Sequence, residues 1–396
     1  MNIVFLLRPW PVYGGGETVT ITLANEMVKR QHTVHVLYTK TVTGKKVPYI
    51  NEKVVSKLVS GLTADEHHKF SHSDISLANS FLKDYIVQND IHVVINQWWP
   101  AESLSGIKEL CIVIKCLHMS LFRTSEFENI HWRGWGILIR LLGKNIYNWH
   151  ANAKACRSVE HFFPFIHKYV FLADTFRKEY LEHRGDAHSD MLEFCNNPLP
   201  FDDFLPIKDL AKKENIVLFV GRMYDGHKKV SKILECWKKV EAKPGVSNWK
   251  LVLVGDGPDK KSFEQQAKRL GLRNYEFTGH RYPKPYYRKA KIFVMASTHE
   301  GWPMTLVESL QNGVVPVVRN TFSSLHDIIT HQANGLIITA DDTEGYVKTL
   351  YGLMKDEERI RNMACHGISS CRRFSVENIV DRWELIFKEI QEKKVR

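Results

Sequence analysis

Two carboxylates eight residues apart, Glu300 and Glu308, lie in the run Ser297-Thr298-His299-Glu300-Gly301-Trp302-Pro303-Met304-Thr305-Leu306-Val307-Glu308. Proline suits the first turn of a helix, where its missing N–H costs nothing, so a helix is expected from about Pro303. Glu300 then lies in the preceding loop and Glu308 just over one turn inside, within reach of different parts of one elongated ligand. Carboxylates accept hydrogen bonds from vicinal sugar hydroxyls. The N–H groups of Met304 and Thr305 at the helix start would form an anion or hydroxyl site. The plainer alternative makes Glu308 an ordinary helix residue and Glu300 a partner of the helix dipole.

A second group is cationic. Gly221-Arg222-Met223-Tyr224-Asp225-Gly226-His227-Lys228-Lys229 follows an apolar strand and precedes a helix carrying Ile233, Leu234 and Trp237. Arg222 and Lys228 are placed to clamp a diphosphate, with a solvated basic turn as the alternative. It is not a Walker A loop, because Lys229 and Val230 stand where the magnesium-binding hydroxyl should be. In Tyr13-Gly14-Gly15-Gly16-Glu17, glycines opening a helix would let backbone approach a ligand. Val19 takes the third glycine's place of G-x-G-x-x-G, so no dinucleotide cofactor is expected, and a simple turn is the alternative. His67, His68 and His72 could bind metal by spacing, but no carboxylate–cysteine set accompanies them, so no metal is expected.

The elements that must hold these residues read as two series of apolar strands alternating with helices, an α/β pattern of parallel sheets. The first series is Ile3–Leu7, Thr33–Tyr38, His92–Asn96, Cys111–Cys116 and Tyr169–Leu172. The second is Ile216–Val220, Leu251–Val254, Tyr275–Thr278, Ile292–Met295, Val314–Val318 and Leu336–Thr339. Pro198, Pro200 and Pro206 interrupt both patterns and mark a linker. Two Rossmann-like domains facing a cleft are expected: residues 1–197 with about 378–396, and residues 198–377. Ligands of such sheets bind beyond the carboxyl ends of the strands. Ser375 to Lys394 reads as one amphipathic helix.

The chain has 396 residues with 55 Lys+Arg against 44 Asp+Glu, a formal charge of +11. Its 44% hydrophobic and 25% charged residues exclude disordered and fibrous classes. Seven scattered cysteines without a C-x-x-C pair suggest a reducing compartment. The short apolar start reads as a strand rather than a signal peptide, and no run of 18 apolar residues occurs, so a soluble cytoplasmic protein is expected.

Taken in order, these motifs resemble the retaining glycosyltransferases of GT-B fold that carry an E-x7-E motif. The matching residues are Gly14-Gly15-x-Glu17, Asn197-Pro198, Gly221-Arg222 with Lys228, Gly255-Asp256-Gly257-Pro258, Glu300 through Glu308, and Asn334-Gly335. The second half looks most like bacterial transferases building lipopolysaccharide, capsule or related glycans. The resemblance implies that Arg222 and Lys228 neutralise a diphosphate, Glu308 holds ribose hydroxyls and Glu300 orients the transferred sugar. Gly221 and backbone around Trp302, Pro303, Met304 and Thr305 would complete the donor site, with Gly14 and Gly15 closing on it from the first domain. His118 looks like the family histidine that approaches the sugar, with a structural histidine as the alternative. The implied donor is a uridine diphosphate sugar, used as substrate with no cofactor, and the acceptor a glycan or lipid-linked glycan. The sequence contains no D-x-D pair, so no metal clamp of the other glycosyltransferase fold is indicated.

Trp135, Leu138, Ile139, Leu142, Ile146 and Trp149 share one helical spacing, with Arg133, Arg140, Lys144 and Asn148 on another face. That suits docking at the inner membrane leaflet, with a core helix as the alternative. Two other functions stay open: a nucleotide-sugar 2-epimerase of the same architecture, and a basic nucleic-acid binder. The latter lacks any recognisable binding motif, so no nucleic-acid partner is expected.

Overall fold

The run Ile3-Val4-Phe5-Leu6 has no polar alternation, so a strand built from it must be covered on both faces. All four residues are buried inside a seven-stranded parallel sheet. The computed structural model describes residues 1–11, 15–42, 48–63, 69–122, 141 and 143–395. Its chain divides into two units: Met1–Pro200 with Phe374–Arg396, and Phe201–Arg373.

The first unit contains β1 (Asn2–Leu6), β2 (Pro9–Trp10), β3 (Thr33–Tyr38), β4 (Lys40–Thr41), β5 (Val55–Leu58), β6 (Val93–Asn96), β7 (Ile112–Cys116), β8 (Lys168–Phe171) and β9 (Leu192–Phe194). The main sheet runs β5-β3-β1-β6-β7-β8-β9, and β2 pairs with β4 separately. Helix Val376–Val395, the last of the chain, packs in this unit. Arg30 ties it down, with its guanidinium 2.5 Å from Asp381 and 3.1 Å from Glu384. The Trp383 and Phe387 rings are buried from its apolar face.

The second unit contains β10 (Glu214–Val220), β11 (Lys250–Val254), β12 (Tyr275–Gly279), β13 (Ala290–Met295), β14 (Val315–Asn320) and β15 (Leu336–Thr339). Their spatial order is β12-β11-β10-β13-β14-β15, all parallel. Counted along the chain, this is the doubly wound order 3-2-1-4-5-6, which reverses between β10 and β13. The loops leaving the carboxyl ends of those two strands are the cationic segment and the segment carrying Glu300. One apolar cluster holds the unit together, joining Phe219, Leu251 and Val294 of the sheet to Leu234, Trp237 and Phe263 of its helices.

Several details differ from the sequence reading. β5 is exposed at all four residues, so no apolar pattern announces it, and β9 has only three residues. Asp225–Lys228, expected as loop, forms a helical turn that ends at Lys229 in the left-handed region, φ +49°. Pro303 is the cap before helix Met304–Gln311, with extended backbone, rather than part of its first turn.

Candidate functional site

The loop after β10 is built on the loop after β11. The N–H of Gly221 donates to Val254 O at 3.0 Å, that of Met223 to Asp256 O at 2.8 Å, and that of Asp259 to Met223 O at 3.1 Å. This contact leaves no room for side chains. A Cβ on Gly255, at φ +144°, would lie 1.9 Å from Gly221 O, and one on Gly257 would lie 2.4 Å from Met223 O. These glycines therefore support the neighbouring loop. Gly255→Ala is expected to destabilise the fold by about 2–4 kcal/mol, from overpacking and backbone strain together; a thermal melt within 2 °C of the parent would contradict it. The Asp225 carboxylate spans the break at Lys229, accepting from the Ser231 N–H at 3.0 Å and hydroxyl at 2.8 Å. It thereby satisfies one of the orphan N–H groups at the start of helix Val230–Glu241, whose cap residue Lys229 makes no side-chain cap.

Lys228 and Glu300 meet at this switch point, Nζ to Oε1 at 2.6 Å. Glu300 is 8% exposed. Burial pushes its carboxyl up, but the charge of Lys228, aided by His227 and by hydrogen bonds from Lys228 and Ser297, outweighs burial and holds it below the usual range. Arg222 is exposed, its guanidinium 6.0 Å from the Tyr224 ring centre. Among the described residues no ion pair engages it, which leaves it able to turn toward an anion.

Glu308 lies on helix Met304–Gln311 and accepts from the Tyr287 hydroxyl at 2.9 Å. Its partly buried setting pushes the carboxyl up to about 7, against that hydrogen bond. Tyr287 comes from helix Lys284–Lys289, whose end is closed by buried Lys213, donating to Tyr287 O at 2.8 Å and Ala290 O at 2.7 Å. Sequence reasoning missed Tyr287 and Lys213, and no spacing signal marks either. Trp302 is buried beside the cap, and Met304 and Thr305 head the helix as expected. Asn334 and Gly335 instead form a packed turn: Asn334 donates to Ile328 O and Ser370 Oγ, and a Cβ on Gly335 would lie 2.7 Å from Pro316.

In the first unit, Tyr13 and Gly14 lie outside the described residues, and Gly15 begins helix Gly15–Lys29. The glycine in close contact is Gly16, where a Cβ would lie 3.3 Å from Trp98 and 3.7 Å from His118 Nδ1. His118 follows β7 and packs on Trp98 with ring centres 5.0 Å apart. Burial, then the charge of Lys115, pushes its imidazole down to about 3, so it is a neutral donor–acceptor at working pH. Lys115 donates to Gln97 O at 2.6 Å, and Thr20 to Gln97 Oε1 at 2.9 Å.

Residues 133–140 and Leu142 lie outside the described residues, as do His67 and His68; His72 begins helix His72–Gln88. Ile146 and Trp149 are exposed on helix Lys144–Glu160, Trp149 at 64%. That helix borders a groove of about 700 Å³ lined by Leu117, Met119, Phe122, Tyr147, His150 and Lys154 among others. Among the described residues no helix is long and apolar enough to cross a membrane. None of the seven cysteines is in a disulfide.

Comparison with known proteins assigns the fold first. The crystal structure of Anabaena Alr3699/HepE in complex with UDP superposes with a TM-score of 0.69, covering 98% of this chain and 100% of that one at 15% identity. The chain has the GT-B fold. Residues 201–368 match the family model of glycosyl transferases group 1, so the second unit relates the chain to that group. Among relatives, the Campylobacter jejuni GalNAc-alpha-(1->4)-GalNAc-alpha-(1->3)-diNAcBac-PP-undecaprenol alpha-1,4-N-acetyl-D-galactosaminyltransferase is 29% identical over 196 residues, 49% of this chain and 54% of its own. The lipopolysaccharide 1,6-galactosyltransferase of Escherichia coli K12 is 27% identical over 192 residues, 47% of this chain and 52% of its own. The chain thus spans about half the length of these relatives.

Proposed function

We propose that the protein is a retaining, metal-independent glycosyltransferase. It moves a hexose or N-acetylhexosamine from a UDP-sugar to a glycan or lipid-linked glycan in surface polysaccharide synthesis, capsule or lipopolysaccharide. The observation that carries this reading is the Lys228–Glu300 pair at the switch point of the second unit, with Glu308 on the helix that follows. Departure of a nucleoside diphosphate builds negative charge on its β-phosphate. Lys228, held in place by Glu300, and Arg222, able to turn toward the phosphate, stabilise that charge as cations. Glu308 accepts from the ribose hydroxyls, and the backbone from Trp302 to Thr305 binds sugar and phosphate. Glu300, already engaged by Lys228, orients the sugar and is not the nucleophile; the acceptor attacks from the face of the leaving phosphate, which takes its proton. The first unit receives the acceptor, and His118 is its catalytic histidine. The UDP complex of one structural neighbour and the lipid-linked acceptor in one relative's name support this choice of substrates.

A panel of uridine, guanosine and adenosine diphosphate sugars, scored by thermal shift and by hydrolysis, tests the reading. The uridine series should raise the melting temperature most, and no response to any of them rejects a nucleotide-sugar enzyme. Epimerisation of the donor without acceptor would favour the 2-epimerase instead. Exposed Trp149 and Ile146 support a cytoplasmic enzyme that touches the inner membrane face. Anionic vesicles should then co-sediment the parent and release Arg140→Ala/Lys144→Ala; equal retention of both rejects docking through these cations.

A further inference from the structure

His227 stands inside this site, and beyond helping Lys228 keep Glu300 charged it has none of the roles above. Its carbonyl accepts from the Thr298 N–H at 2.9 Å. Its ring stacks on His299 with centres 4.2 Å apart and planes 13° from parallel. Its Nε2 lies against the carbonyl oxygen of His299. A carbonyl only accepts, so Nε2 carries the hydrogen and donates it. The peptide thus held is the one joining His299 to Glu300. Glu300 Oε1 is 3.7 Å from the same nitrogen, beyond hydrogen-bond range, so the ring fixes the backbone that carries Glu300 and leaves its carboxylate to Lys228.

Lys228 does not need the ring. Its N–H donates to Tyr224 O at 2.9 Å, and the helical turn is tied by the Asp225 N–H to Asp259 at 2.7 Å and by the Asp225 carboxylate to Ser231. His227 and Lys228 are neighbours on one helical turn, but the turn's own hydrogen bonds hold Lys228 whereas the imidazole holds the Glu300 backbone, so removing the ring's donor removes only the second tie.

We propose that His227 is a positioning residue: through the His299 peptide it sets where Glu300 meets the transferred sugar, while leaving the nucleoside diphosphate to other groups. This rests on the donor-site reading above. It makes recognition of the sugar separable from recognition of the nucleotide.

The test compares three full-length proteins by titration with UDP and with the UDP-sugar selected by the panel, together with steady-state turnover. His227→Phe keeps a ring to stack on His299 but removes the donor. His227→Gln removes the ring and returns an N–H to about the position of Nε2. The Phe variant should bind UDP within twofold of the parent, bind the UDP-sugar about tenfold more weakly and turn over about tenfold more slowly. The Gln variant should recover most of both losses. Should the Phe variant not fold, His227→Asn, whose amide falls short of the His299 carbonyl, takes its place against Gln. A Phe variant equal to the parent with the UDP-sugar overturns the proposal, as does an equal loss of UDP and UDP-sugar. A parent that binds no nucleoside diphosphate overturns the donor-site reading and this inference with it.

Discussion

Lys228→Met is expected to lower sugar transfer by about 10²–10³-fold at saturating donor. That is the usual cost of deleting one preorganised group that meets developing negative charge. The ion pair adds a second consequence. Lys228 sits 2.6 Å from Glu300 Oε1, and its charge is the largest of the influences holding that carboxyl below the usual range against burial. Without the lysine, the Glu300 carboxyl moves upward and the buried carboxylate loses its charged partner. A melting temperature below the parent's should accompany the loss of turnover. The double variant Lys228→Met/Glu300→Gln separates the two effects: a neutral amide tolerates the site, so stability returns while turnover does not. If single-variant kcat stays within threefold of the parent, Lys228 does not face the leaving group. If the double variant recovers turnover, the lysine acts only through Glu300.

Glu308→Gln is expected to weaken nucleotide binding by about 10–100-fold at pH 8, the range for hydrogen bonds to a charged acceptor. Much of the difference should vanish at pH 6. The carboxyl is pushed up to about 7, so in the free protein it gains its charge only as pH rises through neutrality. Ribose hydroxyls donate to the charged form, so with a UDP-sugar, whose diphosphate does not titrate in this range, parent affinity should climb between pH 6 and 8 while the Gln variant stays flat. Binding near pH 7 should also release protons, visible as a dependence of titration heat on the buffer's ionisation enthalpy. The sign for stability is opposite. The folded-state value lies above the ordinary 4.5, so the neutral carboxyl's contribution is fully present below about pH 4.5 and lost as pH rises through about 7. The free parent should thus lose stability relative to Glu308→Gln over that window. A parent affinity independent of pH would remove Glu308 from the ribose.

Both loops of this site are legible in the sequence, because each is a polar run breaking off an apolar strand, and a carboxyl-end loop of a parallel sheet is where ligands collect. What the alternation of strands and helices does not carry is their lateral order. That β10 and β13 are neighbours depends on how every crossover packs, and only this adjacency brings Lys228 to Glu300. Tyr287 is hidden for another reason. It reaches Glu308 from 21 residues earlier, out of a short helix, Lys284-Pro285-Tyr286-Tyr287-Arg288-Lys289, with no periodicity to set one tyrosine above the other. Gly255, Gly257 and Gly335, read as motif residues, prove to be sites where backbone or side chain fills the space a Cβ would need. A glycine pattern shows that room is short, but not whether ligand or protein takes it.

Helix Val376–Val395 is made after the whole of the second unit, yet it belongs to the first. Until it emerges from the ribosome, the first unit lacks the helix that Arg30 anchors and the apolar face carrying Trp383 and Phe387. The half begun first is therefore the half completed last. Residues 201–373 hold all six strands of their sheet and their own core, so they can close without that helix, while the half begun earlier needs it. Residues 201–373 produced alone should form a protease-resistant unit, whereas residues 1–200 alone should stay open to cleavage until helix Val376–Val395 is supplied.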